Sequence, residues 1–160
     1  MTAVAQADGI GAIVELEGHD LTESYIPEWT IPDVIAFLRA QPDCVVGNGY
    51  PLRHQFAPGV YAREITMPTG HLIVGRVHKT KHFNIISKGD VSFWMPGEPI
   101  RRVQAPYTFL SECGAQKVLY VHEETVWTTI HPTDETDVET LEAVLAEPNP
   151  LLLPPAETDV

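Results

Sequence analysis

Hydrophobic positions change their spacing along this chain, and the changes divide it into segments. In the stretch opening at Ile31-Pro32-Asp33, the residues Val34, Ile35, Phe37 and Leu38 recur at helical spacing, with Pro32 in the first turn and Pro42 as a stop. One short amphipathic helix is expected there. From Gly59 to His131 the pattern shortens to β-rich runs at 60–67, 71–78, 82–87, 91–95, 100–103, 107–110, 118–121 and 126–130. Pro68-Thr69-Gly70, Lys88-Gly89-Asp90, Pro96-Gly97-Glu98-Pro99 and His122-Glu123-Glu124-Thr125 separate several of them as turns. About eight closely spaced antiparallel strands with no helix between them predict an all-β fold, a small jelly-roll barrel or sandwich, and exclude a doubly wound α/β sheet. After His131 the helical spacing returns, with Val138, Leu141, Val144 and Leu145 inside 134–146 and acids at the N-terminal end, where the helix dipole favours them.

The organisation expected from these patterns is an N-terminal arm at 1–30, a short helix and loop at 31–58, the barrel at 59–131, a C-terminal helix at 132–147 and a proline-rich tail at 148–160. The arm holds one short apolar stretch from Ile10 to Val14, and the tail carries four prolines, which excludes regular structure. A length of 160 residues with 44% hydrophobic content suits one domain with a real core.

Charge refines this picture. The net charge is −12, which argues against a nucleic-acid or anionic-membrane partner. Every Lys and Arg lies between Arg39 and Lys117, so a basic middle sits between acidic ends. Such a middle suits an anionic ligand, or is neutralised by its own termini. The two cysteines, Cys44 and Cys113, form no CxxC pair and supply no disulfide framework. With no leader pattern and no span-length apolar run, a cytoplasmic setting is expected.

Candidate chemistry centres on histidine. His78 and His82 stand four apart, on one strand face or across a tight turn, and two imidazoles facing into a barrel bind a divalent transition metal if a third donor converges on them. The candidates for that donor are His122, His131 and Glu64, with the choice resting on strand register. His78, His82 and His122 form the working set, for Fe, Mn, Ni or Zn. Trp94, Trp127 and Tyr120 read as packing residues, and no phosphate loop, serine elbow or zinc-protease motif is present.

The stretch from Gly70 to Gly89 resembles the first motif of the cupin superfamily. Aligned on the closing Gly89, His78 takes the place of the second histidine of that motif, Arg76 replaces the first, and His82 stands at the glutamate position. In a fainter second motif around Cys113-Gly114-Ala115-Gln116-Lys117, Lys117 stands where the family has a histidine and Val121 where it has an asparagine. The resemblance covers Gly59 to His131 and implies a cupin-like jelly roll, with a homo-oligomer as the expected assembly.

A narrower likeness lies in Pro58-Gly59-Val60-Tyr61-Ala62-Arg63-Glu64-Ile65, Val77-His78-Lys79-Thr80-Lys81-His82 and Thr125-Val126-Trp127-Thr128-Thr129-Ile130-His131. These runs resemble small cupin-like proteins of tailed bacteriophages and prophages, a likeness that implies a genetic setting and not a reaction. If Arg76 and Lys117 point inward, as the alignment implies, they make an anion pocket that would discourage a metal. If they reach the rim instead, they pair with Glu64 or Glu112. Two functions are therefore expected to compete. One is a barrel pocket for a small ligand, with Arg76, Lys117 and Glu64 as ligand-binding residues and a histidine-held metal. The other is a virion or accessory protein that uses the roll as a scaffold, the termini contacting other phage proteins.

Overall fold

A computed structural model describes residues 26–44 and 49–151. Helix α1 (Ile31–Arg39) begins at a capping box: Thr30 Oγ1 accepts from the Asp33 backbone N–H at 3.3 Å, and the Asp33 carboxylate accepts from the Thr30 N–H at 2.7 Å. Seven strands follow among the described residues: β1 (Leu52–Ala57), β2 (Val60–Met67), β3 (Leu72–Val74), β4 (His82–Trp94), β5 (Arg101–Gln104), β6 (Tyr107–Ser111) and β7 (Val118–Pro132). Helix α2 (Val138–Leu145) closes the order. No helix among the described residues is long and apolar enough to cross a membrane.

All pairing is antiparallel and is organised by two long strands, β4 and β7. The first half of β4 lies between β6 and the second half of β7, and β2 and β1 continue that sheet beyond β7. The second half of β4 lies between β5 and the first half of β7, with β3 beyond. One pair of strands thus runs through both sheets. The inner core, including Met67, Ile86, Val91, Phe93, Leu119, Val121 and Trp127, draws from both, so the two sheets face each other as a rolled sandwich. The fold is the all-β jelly roll with two helices that the strand rhythm predicted.

The halves join at an irregular stretch where the ladder skips between Ile86, Lys88, Asp90 and Val91. A bulge of this kind changes which residues face inward. Even-numbered His82, Asn84 and Ile86 are buried before it, whereas odd-numbered Val91 and Phe93 join the inner core after it. Gly89 occupies the bend at φ +107°, and a Cβ there would sit 2.6 Å from the Glu124 carbonyl oxygen. Lys88-Gly89-Asp90 is therefore a bulge within one strand, and His122 to Thr125 is the matching bend in β7. The two turns expected at these places do not exist, which joins four of the about eight expected strands into two, and β1, in a stretch expected to be loop, brings the described strands to seven.

Two further boundaries differ from expectation. The sheet starts at Leu52, inside the stretch expected to be loop, because β1 pairs with β2 from Leu52↔Ile65 to Ala57↔Val60. Helix α2 starts at Val138 because Asp137 caps it, accepting from the Thr140 N–H at 2.9 Å, while Glu135 ties the residues before it into a turn.

Both helices cover apolar surface. Ile31, Val34 and Leu38 of α1 pack on Leu72, Val74, Trp94, Val118 and Tyr120, the outer face of the smaller sheet. Leu141 and Leu145 of α2 pack on Tyr61 at the end of the larger sheet. Each fully buried large apolar side chain contributes about 1.5–3 kcal/mol. The start of the tail also docks on its own chain: Arg39 donates to the Pro150 carbonyl at 3.0 Å, and Leu151 packs against the α1 cluster.

Gly89→Ala adds a Cβ into backbone at a φ that L-residues rarely adopt. It should lower unfolding stability by about 2 kcal/mol or more in denaturant titration, whereas Gly97→Ala, at an open turn with no atom within 4 Å of the added Cβ, should cost less.

Candidate functional site

Alternation on β7 sets the site. Lys117, Leu119, Trp127, Thr129 and His131 share the inward face, and with Tyr61, Arg63, Ile65 and Met67 of β2 and Asn84 of β4 they line a cavity of about 190 Å³. Helix α2 closes one side with Leu141, Glu142 and Leu145. That volume lies below the roughly 300–1,000 Å³ of sites for drug-sized molecules, so a small ligand is the fitting occupant.

His78 is placed by backbone bonds on both sides. Its N–H donates to the Ala115 carbonyl at 2.9 Å, its carbonyl accepts from Gly114 at 2.7 Å, and it bridges Ala146 after α2. His82 and His131 come from β4 and β7. The three rings stack, with centroids 4.4 Å apart for His78–His82, 4.8 Å for His82–His131 and 6.1 Å for His78–His131. Tyr61 extends the stack beyond His131 at 6.0 Å and shares a 2.6 Å hydrogen bond with His54.

All three imidazoles are held neutral. Burial pushes His78 down to about 3, helped by the charges of His82 and Lys117, and pushes His131 down to about 4, helped by His82 and Arg63. His82 is also lowered, chiefly by burial, against the opposing effect of its bond to Thr80. Its Nδ1 lies 2.9 Å from the Thr80 carbonyl, which only accepts, so Nδ1 carries the proton and Nε2 keeps a lone pair. That Nε2 and the Nδ1 atoms of His78 and His131 are buried without a hydrogen-bond partner in the protein. Buried imidazole nitrogens of this kind call for a ligand or solvent partner.

Lys117 is 7% exposed, and its Nζ donates to Ser111 Oγ at 2.7 Å. Ser111 Oγ also accepts from Asn84 Nδ2 at 2.8 Å, and Asn84 Oδ1 accepts from Trp127 Nε1 at 3.0 Å. Burial lowers the Lys117 ammonium to about 8, against a small opposing effect of Glu98. Gly75 permits this placement, since a Cβ there would lie 3.2 Å from the Lys117 carbonyl oxygen.

The residues expected from the sequence divide clearly. Lys117, His78 and His82 come together, and Lys117 and His78 line the cavity. Arg76 also lines it, but its guanidinium donates to the carbonyls of Glu142 at 2.9 Å, Glu147 at 2.6 Å and Ala146 at 3.4 Å, so it secures the end of α2. Glu64 is corrected: it alternates away from Arg63 and Ile65 and sits 3.8 Å from the exposed Arg53. Glu112 pairs with Lys81 at 3.0 Å, so neither acid neutralises Arg76 or Lys117.

His122 is also corrected. It shares a 2.6 Å hydrogen bond with Ser92 and packs edge-on against Tyr120, on the outward face of the smaller sheet. His131, one of the alternatives to His122 as third donor, is the histidine that stands beside His78 and His82. Arg63 was the residue not singled out in the sequence, although strict alternation from Tyr61 along β2 marks it as inward-facing.

The arrangement does not fit a metal ion. Among the described residues no group of three or more His, Cys, Asp or Glu is arranged to hold one, and the three histidine rings lie stacked on one another.

No protein-family model and no curated protein matches this sequence. Solved structures with a similar strand arrangement include a cupin-2 domain containing protein from Shewanella frigidimarina, 12% identical, with 55% of this chain covering 85% of that one at a TM-score of 0.44. An RmlC-like cupin family protein with a double-stranded β-helix fold from Methanocaldococcus jannaschii is 9% identical, with 57% of this chain covering 84% of that one at 0.46. Salicylate 1,2-dioxygenase from Pseudoaminobacter salicylatoxidans, in adducts with gentisate, is 13% identical, with 63% of this chain covering 29% of that one at 0.48. These are likenesses of strand arrangement, and the fold assignment rests on the pairing described above.

The histidines make stability depend on pH. Folded pKa values of about 3 for His78 and about 4 for His131 lie below the ordinary 6.5, so the unfolded chain takes up protons that the folded one refuses. The stability is fully present above about pH 6.5 and is lost as pH falls toward 4, by about 1.4 kcal/mol per pH unit for each histidine. Denaturant titrations between pH 7 and 4.5 should show this slope, and a His78→Gln, His131→Gln protein should show a shallower one.

Proposed function

We propose that this chain is a cupin-like protein whose barrel cavity binds a small carboxylate. The observation that carries the reading is the charge of the cavity wall, where Arg63, Arg76 and Lys117 stand against one acid, Glu142. Arg76 is spent on α2, which leaves Lys117 and Arg63, the latter within the field of Glu142, as the cations facing an anion. Neutral His78 and His131 add polarity without adding charge. Hydrogen bonds from such cations to a carboxylate are worth about 1.5–3 kcal/mol each. Apolar Ile65, Met67, Leu119 and Leu141 leave room for a short hydrocarbon portion.

The competing scaffold reading and the phage setting rest on the sequence resemblance. Most of the arm and tail invoked for assembly falls outside the described residues. The described start of the tail is bound to this chain's own helix α1, which favours the pocket.

Propionate should shift the NMR signal of the Trp127 indole N–H, which is bonded to Asn84 on the cavity wall. Arg63→Met and Lys117→Met should each weaken that binding by about tenfold or more, with Lys81→Met, on the exposed ion pair, serving as the unchanged control. A folded protein whose spectrum is indifferent to propionate would remove the carboxylate reading.

A further inference from the structure

A buried lysine in a cavity can do more than attract charge. Lys117 reaches the cavity from the residue before β7, and among the described residues its Nζ meets no carboxylate within ion-pair distance. Its bonded partner is a neutral hydroxyl, Ser111 Oγ, which Asn84 and Trp127 hold in place. The other lysines are arranged differently. Lys81 and Lys88 are exposed and paired with Glu112 and Glu124, and Lys79 is exposed and donates to the Ala143 carbonyl at 3.0 Å.

We propose that Lys117 is a nucleophilic amine that forms a Schiff base with a small carbonyl compound bearing a carboxylate, such as a 2-oxo acid. The substrate class rests on the carboxylate reading above: Arg63 holds the carboxylate while the adjoining carbonyl carbon meets Lys117. The unprotonated amine attacks that carbon and forms the C–N bond. The carbonyl oxygen takes up a proton, the nitrogen gives one up, and the carbinolamine results. Protonation of its hydroxyl lets it leave as water while the nitrogen lone pair closes the C=N bond, and the nitrogen then gives up its remaining proton. One amine and one carbonyl give one imine and one water, with no oxidant or reductant.

The surroundings suit that sequence. Free amine is the reactive form, and a lysine at about 8 holds roughly 300 times more of it at pH 7 than one at 10.5. His78 and His131 line the same cavity but are too weakly basic to take a proton, so the protons pass through water. Ser111, Asn84 and Trp127 act as positioning residues.

The test uses the whole chain with pyruvate and sodium cyanoborohydride, which reduces an imine to a stable secondary amine. Intact mass should show one adduct per chain, and peptide mapping should place it on Lys117 at a rate about tenfold or more above Lys79, Lys81 and Lys88. The mapping is done on the unaltered protein, so the result does not depend on whether Lys117→Met folds. No adduct, or an adduct spread evenly over the lysines, would overturn the inference.

Propionate separates this inference from the one beneath it. If propionate binds and no adduct forms at Lys117, the covalent step is wrong and the carboxylate pocket stands. A Lys117-selective adduct that propionate blocks supports both. A selective adduct that propionate does not block upholds the amine and discards the carboxylate assignment.

Discussion

Everything in this fold hangs on the pairing of β4 with β7. Each strand is long enough to cross from one sheet to the other, so a single ladder supplies the centre of both, and the remaining strands attach at its edges. A ladder serving two facing sheets must bend, and the bend must be sharp. Gly89 permits it, because any Cβ there would meet the backbone of Glu124 and Thr125. The bend also fixes which side chains face inward on each half of β4. The cavity lies beside the half that presents Asn84, and the apolar core fills the half that presents Val91 and Phe93.

The cavity wall carries three cations against one acid, Glu142, and the fold tolerates this excess in two ways. Arg76 is hydrogen-bonded to carbonyls at the C-terminal end of α2, which costs no acid. The histidines answer by staying neutral: they sit close to Arg63 and Lys117, where a further proton would be repelled and poorly solvated. Lys117 keeps its place through a hydroxyl and an amide, so its charge is hydrogen-bonded but not cancelled. An interior of this kind is a poor host for a cation.

Much of the architecture was legible in the sequence because it follows from alternation. The strand at Val60–Met67 carries the expected limits, and both helices stand where the helical spacing placed them. The errors at the bend share one cause. Lys88-Gly89-Asp90 and His122 to Thr125 have the composition of turns, yet they pair with one another's strands, and composition alone does not separate a hairpin from a bulge. Misreading that bend also misplaced His122, since a hairpin there would have brought it to the barrel mouth. Within a continuous strand it alternates with Val121 and Leu119 and so faces outward. Arg63 escaped notice because a lone arginine in a strand carries no motif, and its value appears only when Lys117 arrives from 54 positions later in the chain.

Helix α2 supplies one wall of the cavity although it takes no part in the sheet. Arg76, Lys79 and the backbone of Val77 fasten its C-terminal end to the segment that carries His78. None of these bonds uses the side chains that the helix turns inward at Leu141, Glu142 and Leu145. Ligand preference in such a protein is partly separable from foldability. A few exchanges on one helical face would reshape the chamber while leaving the strand registry intact, a route by which one roll can serve chemically unlike guests.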